Sequence, residues 1–327
     1  MAKTKIGTVI HFYKTSPLLA IFHLMPHNGS RFPDYKAGQY IALRRNDCRL
    51  TKKIISPDKK VSYLPNLDEN GKQKRGPVTH SYSIASAPFE TSQNAYLEFY
   101  VILEKDEKGE PGRLTESMFR MDPQGDNQLV YFDRITGDFT LEKRAPGFKN
   151  VLLVGTGTGV APFVSMIKQL HFEASQGKDQ GVKYTLVHAN RTYEELDYYK
   201  ELSAMEADER FDFVYLSSVS RPTPRDHSDL TMGKGRANNL LRHIFDMPLK
   251  EEQDLRDAAG EGDVAKAKAA LERTVRPVLP ERFSRKELQE RIEPAHSVIM
   301  TCGNPFVMAD IKTIADAVHI RFEKEDW

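Results

Sequence analysis

The first half of the chain alternates apolar and polar residues in short segments that turn residues separate. Alternation of this kind predicts half-buried strands, and many short strands at even spacing predict an antiparallel barrel or sandwich. The predicted strands are Gly7–Tyr13, Leu18–Leu24, Gln39–Leu43, Ser81–Ala85, Tyr96–Leu103 and Leu129–Phe132. The charged stretch Asn66–Gly76 is predicted to be a loop inserted before one of these strands.

From Asn150 onward, short apolar runs alternate with helix-favouring stretches. The buried strands predicted here are Val151–Val154, Tyr184–His188, Phe211–Ser217 and Val298–Thr301. Such alternation indicates βαβ units in a doubly wound parallel sheet, whose ligands lie at the carboxyl ends of the strands. The change follows a turn cluster that ends at Gly147, so we predict a β-barrel domain over 1–147 and an α/β domain over 148–327. A charged, Ala-rich stretch at about 250–293 interrupts the second pattern and is predicted to be a helical insert.

The composition excludes several classes of protein. Apolar residues make up 39% and charged residues 28%, as in water-soluble globular proteins. The sequence contains no long apolar run, and its N-terminus lacks the features of a signal peptide, so we expect a cytoplasmic protein without a membrane partner. A net charge of +1 gives no reason to expect nucleic acid binding. Two cysteines are too few for an iron–sulfur cluster, and the ten histidines show no metal-ligand spacing, so no metal is predicted.

The local charge is uneven between Arg44 and Arg75. Four acidic residues in this segment stand against ten basic ones: Arg44, Arg45, Arg49, Lys52, Lys53, Lys59, Lys60, Lys72, Lys74 and Arg75. The segment is either a solvated loop or a docking patch for an acidic partner.

The strongest motif follows the first predicted strand of the second half. In Gly155–Pro162 (GTGTGVAP), three glycines allow backbone N–H groups to approach a pyrophosphate at the start of a helix. Pro162 suits the first helical turn, where no N–H donor is needed. The candidate nucleotide contacts are Thr156, Gly157, Thr158, Gly159 and Pro162.

Arginines follow the next strands. Arg191 comes after the strand that ends near His188, Ser220 and Arg221 come after the one that ends near Ser217, and Arg236 lies further on. A guanidinium group forms paired, charge-assisted hydrogen bonds to phosphate. Arginines rather than a single acid at these ends therefore favour the 2′-phosphate of NADP over the ribose of NAD. The last strand ends in Cys302-Gly303, a small thiol and a glycine that are able to border a flat ring.

In the first half, the segment His80–Ser86 (HSYSIAS) places Tyr82, Ile84 and Ser86 on one face of a strand and Ser83 on the other. Tyrosine and serine at these positions suit a flat ring system, and Tyr100 is a further candidate contact. The turn Gly112-Arg113-Leu114-Thr115 supplies a glycine, a cation and a hydroxyl at a helix start, which suits a phosphate.

Five of these segments, taken in order, resemble the landmarks of bacterial ferredoxin-NADP reductases. They are Tyr82–Ser86, Gly112–Thr115, Gly155–Pro162, His188–Thr192 and Cys302–Pro305, and only the basic segment and the insert fall outside the resemblance. The resemblance implies FAD and NADP(H) as cofactors. Tyr82 and Ser83 would flank the isoalloxazine ring, with Ser83 near N5, while Gly112, Leu114 and Thr115 would hold the FAD pyrophosphate.

The same resemblance implies roles in the second half. Thr158 and Gly159 would contact the NADPH pyrophosphate, Arg191, Arg221 and Arg236 the 2′-phosphoadenosine, and Cys302 the nicotinamide. The tail Arg321–Trp327 resembles the family's C-terminus, so that Trp327 would cover the flavin and Glu323 or Glu325 would donate protons. Ser83, Cys302, Glu323 and Trp327 are accordingly the candidate catalytic residues. His80 stands where the family has an arginine against the FAD pyrophosphate, so that this contact is either weakened or moved to Arg113.

The expected function is transfer of hydride between NADPH and FAD and of single electrons to or from an acidic ferredoxin or flavodoxin. Two alternatives remain open from the residues. One is a reductase of the same fold with another acceptor, such as an oxygenase component or free flavin. The other, of a different class, is a redox sensor that binds flavin and nucleotide without turnover.

Overall fold

The computed structural model describes residues 3–56, 61–106, 109–178 and 181–325. The chain forms two compact units. Unit 1 comprises Met1–Tyr35 and Gln39–Gly137, and unit 2 comprises Lys36–Gly38 and Asp138–Trp327.

Unit 1 is built on an antiparallel sheet of six strands in the order β6-β3-β8-β1-β2-β7. Its strands are β1 (Thr4–Lys14), β2 (Leu19–Pro26), β3 (Tyr40–Arg49), β4 (Thr51–Ile55), β5 (Val61–Pro65), β6 (Arg75–Ser83), β7 (Leu97–Ile102) and β8 (Gln128–Thr136), and its helices are α1 (Pro88–Asn94) and α2 (Arg113–Phe119). In the described part of the chain, β6 and β7 are the two edges of this sheet. The predicted barrel is therefore a half-barrel, and the antiparallel fold is confirmed.

The half-barrel is held by the apolar positions of its alternating strands. Phe22 and Leu24 from β2, Ile41 and Leu43 from β3, and Phe99 from β7 share one buried cluster. The rings of Phe22 and Phe99 stack with centroids 5.0 Å apart. Because side chains of a strand alternate between its two faces, this cluster fixes which residues of each strand point outward.

The hairpin of β4 and β5 is a second, separate sheet of unit 1. All of β5 and most of β4 are exposed, so the alternation that marks a half-buried strand is missing here. The sequence predicted a loop at Asn66–Gly76, and the structure has bends and turns there up to Lys74, with β6 beginning at Arg75.

Unit 2 contains a parallel sheet of six strands in the order β12-β11-β10-β9-β13-β14. The strands are β9 (Asn150–Thr156), β10 (Lys183–Asn190), β11 (Phe213–Val219), β12 (Gly233–Lys234), β13 (Ser297–Cys302) and β14 (Arg321–Lys324). The helices are α3 (Leu141–Arg144), α4 (Ala161–Ser175), α5 (Tyr199–Ala207), α6 (Pro224–Ser228), α7 (Ala237–Ile244), α8 (Lys250–Asp257), α9 (Glu261–Glu272), α10 (Arg285–Arg291) and α11 (Pro305–Ala317). The α/β fold with a parallel sheet is confirmed.

The central strands of unit 2 are apolar runs with both faces covered. Every residue of β13 is buried, and so are the first six residues of β9. Leu152 and Ile299 from these strands pack with Leu240 and Ile311 from helices α7 and α11. Continuous burial is expected of strands in a parallel sheet, since helices lie on the sheet's faces.

The insert at about 250–293 contains α8, α9 and α10. Unit 1 ends at Gly137, ahead of Gly147, and the segment that includes α3 belongs to unit 2. Phe139, for example, contacts Phe163 of α4 with ring centroids 5.7 Å apart. The predicted domain boundary after Gly147 stays a prediction. Across the described ranges, no helix combines the length and the hydropathy that crossing a bilayer demands.

Candidate functional site

The glycine-rich turn connects β9 to α4 at the carboxyl edge of the parallel sheet. Thr156 ends the strand, Gly157–Val160 form one turn of 3₁₀ helix, and Pro162 lies in the first turn of α4. The N–H groups at the start of a helix have no partner within it and carry the positive end of the helix dipole. The predicted pyrophosphate contacts are thus grouped on one short turn.

This turn touches the loop that follows β13. A Cβ atom on Gly159 would lie 2.5 Å from the carbonyl oxygen of Cys302 and 2.5 Å from the backbone of Gly303. Gly303 adopts φ +125°, and a Cβ there would lie 2.2 Å from Oγ1 of Thr156. The Thr156 hydroxyl accepts a hydrogen bond of 2.9 Å from the N–H of Asn304. The two loops therefore meet backbone to backbone, and only glycine fits at the points of contact.

Cys302 lies at the end of β13 with its thiol fully buried. Its Sγ donates to Oε2 of Glu325 at 3.3 Å, and the carboxylate of Glu325 is also buried. Burial raises the pKa of the Cys302 thiol well above its ordinary value, and the neighbouring Glu325 raises the pKa further. The thiol is therefore neutral and positions the carboxylate of Glu325.

Glu323 lies two residues earlier, on β14, in a different environment. Its Oε2 accepts from Arg144 at 2.9 Å, and its Oε1 accepts two hydrogen bonds from Arg321 at 2.8 and 2.6 Å. The sequence left open whether Glu323 or Glu325 donates protons, and the structure places only Glu325 beside Cys302. Trp327, the predicted flavin cover, lies outside the described residues.

The predicted arginines lie at the carboxyl ends of three neighbouring strands. Arg191 follows β10 and Arg221 follows β11, and the N–H of Arg221 donates to the carbonyl of Arg191 at 2.7 Å. Arg236 follows β12, which pairs with the end of β11. Ser220 is held by its backbone and hydroxyl, which both donate to the carbonyl of Asn190. The structure thus brings these four residues to one edge of the sheet.

Two of the three arginines are already paired with carboxylates. Arg191 contacts Glu195 through both Nε, at 2.7 Å, and a terminal nitrogen. Arg236 contacts Oε1 of Glu251 at 3.3 Å, and Oε2 of this buried carboxylate accepts from Asn239 at 2.8 Å. Arg221 is exposed, and the described part of the chain gives its side chain no acidic partner.

Neither carboxylate was predicted from the sequence. Glu195 follows Arg191 by four residues, a spacing typical of ion pairs, so a local signal existed. Glu251 lies on α8 of the insert, and no sequence pattern links it to Arg236.

In unit 1, the predicted flavin residues lie at the end of β6 and just beyond it. Tyr82 is half-buried, and removal of its hydroxyl from water, together with the nearby carboxylate of Glu104, raises its pKa. Ser83 is buried at the end of the strand, whereas His80 is exposed. All three side chains therefore lie on β6, within four consecutive residues of the strand.

Three other predicted flavin contacts are buried in unit 1. Ile84 belongs to the apolar core, and Tyr100 on β7 is 4% exposed. The hydroxyl of Ser86 accepts from the N–H of Glu98 at 3.0 Å. These three residues therefore take part in the packing of unit 1. Their contact with a cofactor stays a prediction.

The predicted flavin-phosphate turn begins helix α2. Gly112 precedes the helix, and its N–H donates to the carbonyl of Glu104 at 2.8 Å. Arg113, Leu114 and Thr115 form the first turn, with Leu114 and Thr115 buried and Arg113 half-buried. A Cβ on Gly112 would lie 2.9 Å from Oγ1 of Thr115.

A cavity of about 820 Å³ opens near the start of β11, away from the carboxyl ends of the strands. Phe211, Phe213 and the ion pair of Glu206 with Arg282 line it, and none of the predicted site residues does. Among the described residues, no three His, Cys, Asp or Glu side chains are arranged to hold a metal ion.

Comparison with known proteins agrees with this arrangement. The model of the oxidoreductase NAD-binding domain matches residues 153–260. A flavodoxin/ferredoxin-NADP reductase of Rhodobacter capsulatus is 32% identical over 136 residues, which are 42% of this chain and 43% of that protein. Ferredoxin-NADP reductase A of Sorangium cellulosum (strain So ce56) is 27% identical over 248 residues, 74% of this chain and 67% of that protein. The chain thus spans less than half the length of the first of these relatives.

A solved structure extends the likeness to the whole chain. The ferredoxin NADP+ reductase of Neisseria gonorrhoeae, described with bound FAD and NADP, superposes with a TM-score of 0.59 and 18% identity over 99% of both chains. At this identity the likeness shows the fold, which is that of a half-barrel followed by a parallel-sheet domain. In its fold, its motifs and the relatives it matches, the chain is similar to ferredoxin-NADP reductases.

Proposed function

We propose that the protein is an FAD-dependent reductase that accepts hydride from NADPH and passes single electrons to ferredoxin or flavodoxin. Its relatives carry these names, and the solved neighbour is described with both cofactors. When bound, the flavin supplies the redox chemistry, because it takes two electrons as hydride and releases them one at a time. The protein's residues bind and orient the two cofactors and exclude water from the site.

The observation that carries the proposal is the contact between Gly159 and the Cys302-Gly303 backbone. Backbone amides and a buried thiol lie at the carboxyl ends of β9 and β13, and the buried carboxylate of Glu325, which follows β14, contacts that thiol. A flat ring and a pyrophosphate need such a surface, since any larger side chain there would hold them away.

The residues present also fit FAD. Tyr82 offers a half-buried aromatic ring and Ser83 a hydroxyl at the end of the same strand. The first turn of α2, from Arg113 to Thr115, presents N–H groups suited to a pyrophosphate. His80, two residues before Tyr82 on β6, is exposed, and Arg113 remains our candidate for the cation against the pyrophosphate.

We assign proton transfer to Glu325. Its carboxylate is buried and accepts a hydrogen bond from the thiol of Cys302 at 3.3 Å. Glu323 instead accepts from Arg144 and Arg321 with its two oxygens, so both oxygens are engaged by arginines. A proton donor must lie within hydrogen-bond reach of the reacting groups, and Glu325 lies beside Cys302, the proposed nicotinamide contact, so it fits this role better. Trp327 remains our candidate for covering the flavin.

An acidic electron-transfer partner would meet the basic segment between Arg44 and Arg75. Three arginines of this segment are neutralised within unit 1: Arg45 by Asp126, Arg49 by Glu110, and Arg75 by Asp47. The exposed lysines Lys52, Lys53, Lys72 and Lys74 have no acidic partner within the described residues. These lysines are therefore the docking cations that we propose.

The absorption spectrum of the purified protein, recorded before and after NADPH is added without oxygen, tests the proposal. We expect flavin bands that bleach with NADPH and return when oxidised ferredoxin is added. A colourless protein that takes up no FAD would overturn the proposal. Bleaching without reoxidation by ferredoxin or flavodoxin, but with rapid reoxidation by free flavin, would instead identify a reductase of another acceptor.

A further inference from the structure

The insert returns to the parallel sheet beside β12. After α9, Val278 pairs with Lys234 through two backbone hydrogen bonds of 2.9 and 3.0 Å, in antiparallel direction. A Cβ on Gly235 would lie 3.1 Å from Cα of Pro277, so the two chain segments are in close contact there. The segment between α9 and Pro280 therefore lies at the outer edge of the sheet, where the predicted nucleotide arginines are.

The bridge brings two arginines onto neighbouring segments. Lys234 pairs with Val278, and Gly235 lies against Pro277. Arg236 directly follows Gly235, and Arg276 directly precedes Pro277. Like charges on neighbouring segments repel each other, and an anion between them would remove that repulsion.

Each of the two arginines has one weak carboxylate contact. Arg236 meets Oε1 of Glu251 at 3.3 Å, and Arg276 meets Oε1 of Glu252 at 3.5 Å, with both carboxylates in the first turn of α8. The side chains of Arg236 and Arg276 are 60% and 77% exposed. A guanidinium group has five N–H donors, so a single contact leaves most of them available for a second anion.

Arg276 belongs to the insert, which lies outside the motifs that resemble the family. We infer that Arg276 joins Arg221 and Arg236 in binding the 2′-phosphate of NADPH, so that the insert is part of the nucleotide site. This inference rests on the proposed use of NADPH. The phosphate would accept from the N–H donors that these single carboxylate contacts leave available, and Glu251 and Glu252 would keep the two side chains at the edge of the sheet before it binds.

Nucleotide fragments separate the 2′-phosphate from the rest of the coenzyme. Calorimetry on the full-length protein would compare the affinity for 2′,5′-ADP with that for 5′-AMP, which lacks only the 2′-phosphate. We expect Arg276→Ala to weaken 2′,5′-ADP binding about tenfold, as loss of a charge-assisted contact does, and to change 5′-AMP binding less than about twofold. Arg276→Lys keeps the charge but loses the fork, so its affinity should be intermediate.

Lys268→Ala is the matched control, because Lys268 is an exposed cation on α9 of the same insert. The control should leave the affinity for both fragments unchanged. Equal losses for the two fragments in Arg276→Ala, an unchanged affinity for 2′,5′-ADP, or the same loss in Lys268→Ala would each overturn the inference. If the unaltered protein binds 2′,5′-ADP no better than 5′-AMP, the proposed use of NADPH fails as well, whereas an intact preference in Arg276→Ala refutes the role of Arg276 alone.

Discussion

The centre and the outer edge of the parallel sheet offer different kinds of contact to the ligand groups that we propose for them. At the centre, the loops after β9 and β13 touch through Gly159 and Gly303, with no space for a side chain. At the outer edge, the segments after β10, β11 and β12 carry Arg191, Arg221 and Arg236, two of which are paired with carboxylates. Steric contact between backbones determines the shape of the centre, whereas charged side chains determine the properties of the outer edge.

This difference predicts two classes of substitution. A change at the centre should affect every nucleotide equally, because pyrophosphate and nicotinamide are common to NADPH and NADH. A change at the outer edge should affect only the 2′-phosphate, and its size should depend on whether the arginine already has an acidic partner.

The largest effect is expected for Gly159→Ala. The new Cβ would lie 2.5 Å from the backbone of Cys302 and Gly303, so one loop must move. We expect kcat/KM for NADPH and for NADH to fall by the same factor, more than about a hundredfold, since small misplacements of reacting groups have effects of that size. The unfolding free energy should fall by about 1–3 kcal/mol.

Gly262→Ala is the control for this substitution. A Cβ on Gly262, in helix α9, would meet nothing within 4 Å. It should leave both kcat/KM values unchanged and raise stability by up to about 1 kcal/mol. If Gly159→Ala lowered kcat/KM for NADPH but left kcat/KM for NADH unchanged, the centre would not be a site that both coenzymes share.

The second effect concerns the two carboxylates near the chain's end. Glu325→Gln should lower the rate of ferredoxin reduction about tenfold to a hundredfold, because the amide keeps the contact with Cys302 but cannot carry the proton. Glu323→Gln, which weakens ion pairs with Arg144 and Arg321, should mainly lower stability. Steady-state rates and urea denaturation of both variants would be compared, and the reverse pattern would assign proton transfer to Glu323.

The third effect tests the outer edge. Arg221 has no acidic partner in the described part of the chain, so all of its donors are available to phosphate. Arg221→Ala should lower NADPH affinity at least about tenfold while leaving NADH affinity unchanged. Arg191→Ala should have a smaller effect, because Glu195 already neutralises that side chain. Equal losses with both coenzymes would show that Arg221 does not contact the 2′-phosphate.

Arg225→Ala provides the matched control at the outer edge. Arg225 is an exposed arginine four residues further along, and it contacts Glu194 and the ring of Tyr193. Its removal should leave the ratio of NADPH to NADH affinity unchanged.

The sequence predicted the parts of this arrangement that depend on local pattern. Apolar runs marked β9 and β13, and the glycine spacing after Val154 marked the turn, because both signals lie within about ten residues. Alternation marked the strands of unit 1 in the same way. The hairpin of β4 and β5 was missed because both of its faces are exposed and its residues do not alternate in burial.

Contacts between distant segments could not be predicted. Glu325 reaches Cys302 because β14 pairs with β13 in a register that places Lys324 beside Thr301. No spacing within the tail determines that register, so the choice between Glu323 and Glu325 stayed open. Glu251 reaches Arg236, and Val278 reaches Lys234 of β12, only through the packing of the insert, and helix propensity contains no information on such packing.

The last effect concerns acid stability and β10, the strand of the outer edge that pairs with β9. His188 on this strand is fully buried, its Nδ1 shares a hydrogen bond of 2.9 Å with the hydroxyl of Tyr215, and burial lowers its pKa to about 3. The unfolded chain binds a proton at this residue below pH about 6.5, whereas the folded chain does not until pH about 3. The contribution of neutral His188 to the unfolding free energy is therefore fully present above pH about 6.5. Below that pH it falls by up to about 1.4 kcal/mol per pH unit.

Replacing this histidine isolates its share of the acid sensitivity. His188→Asn removes the titrating group, so its unfolding free energy, measured by urea denaturation from pH 7 to pH 4, should fall less steeply than that of the unaltered protein. His227→Asn, at an exposed position on α6, should keep the original slope. If His188→Asn kept that slope too, the imidazole would be able to accept a proton in the folded protein. Strand β10 would then open to water near Arg191, and the outer edge would rest on a mobile strand instead of a rigid one.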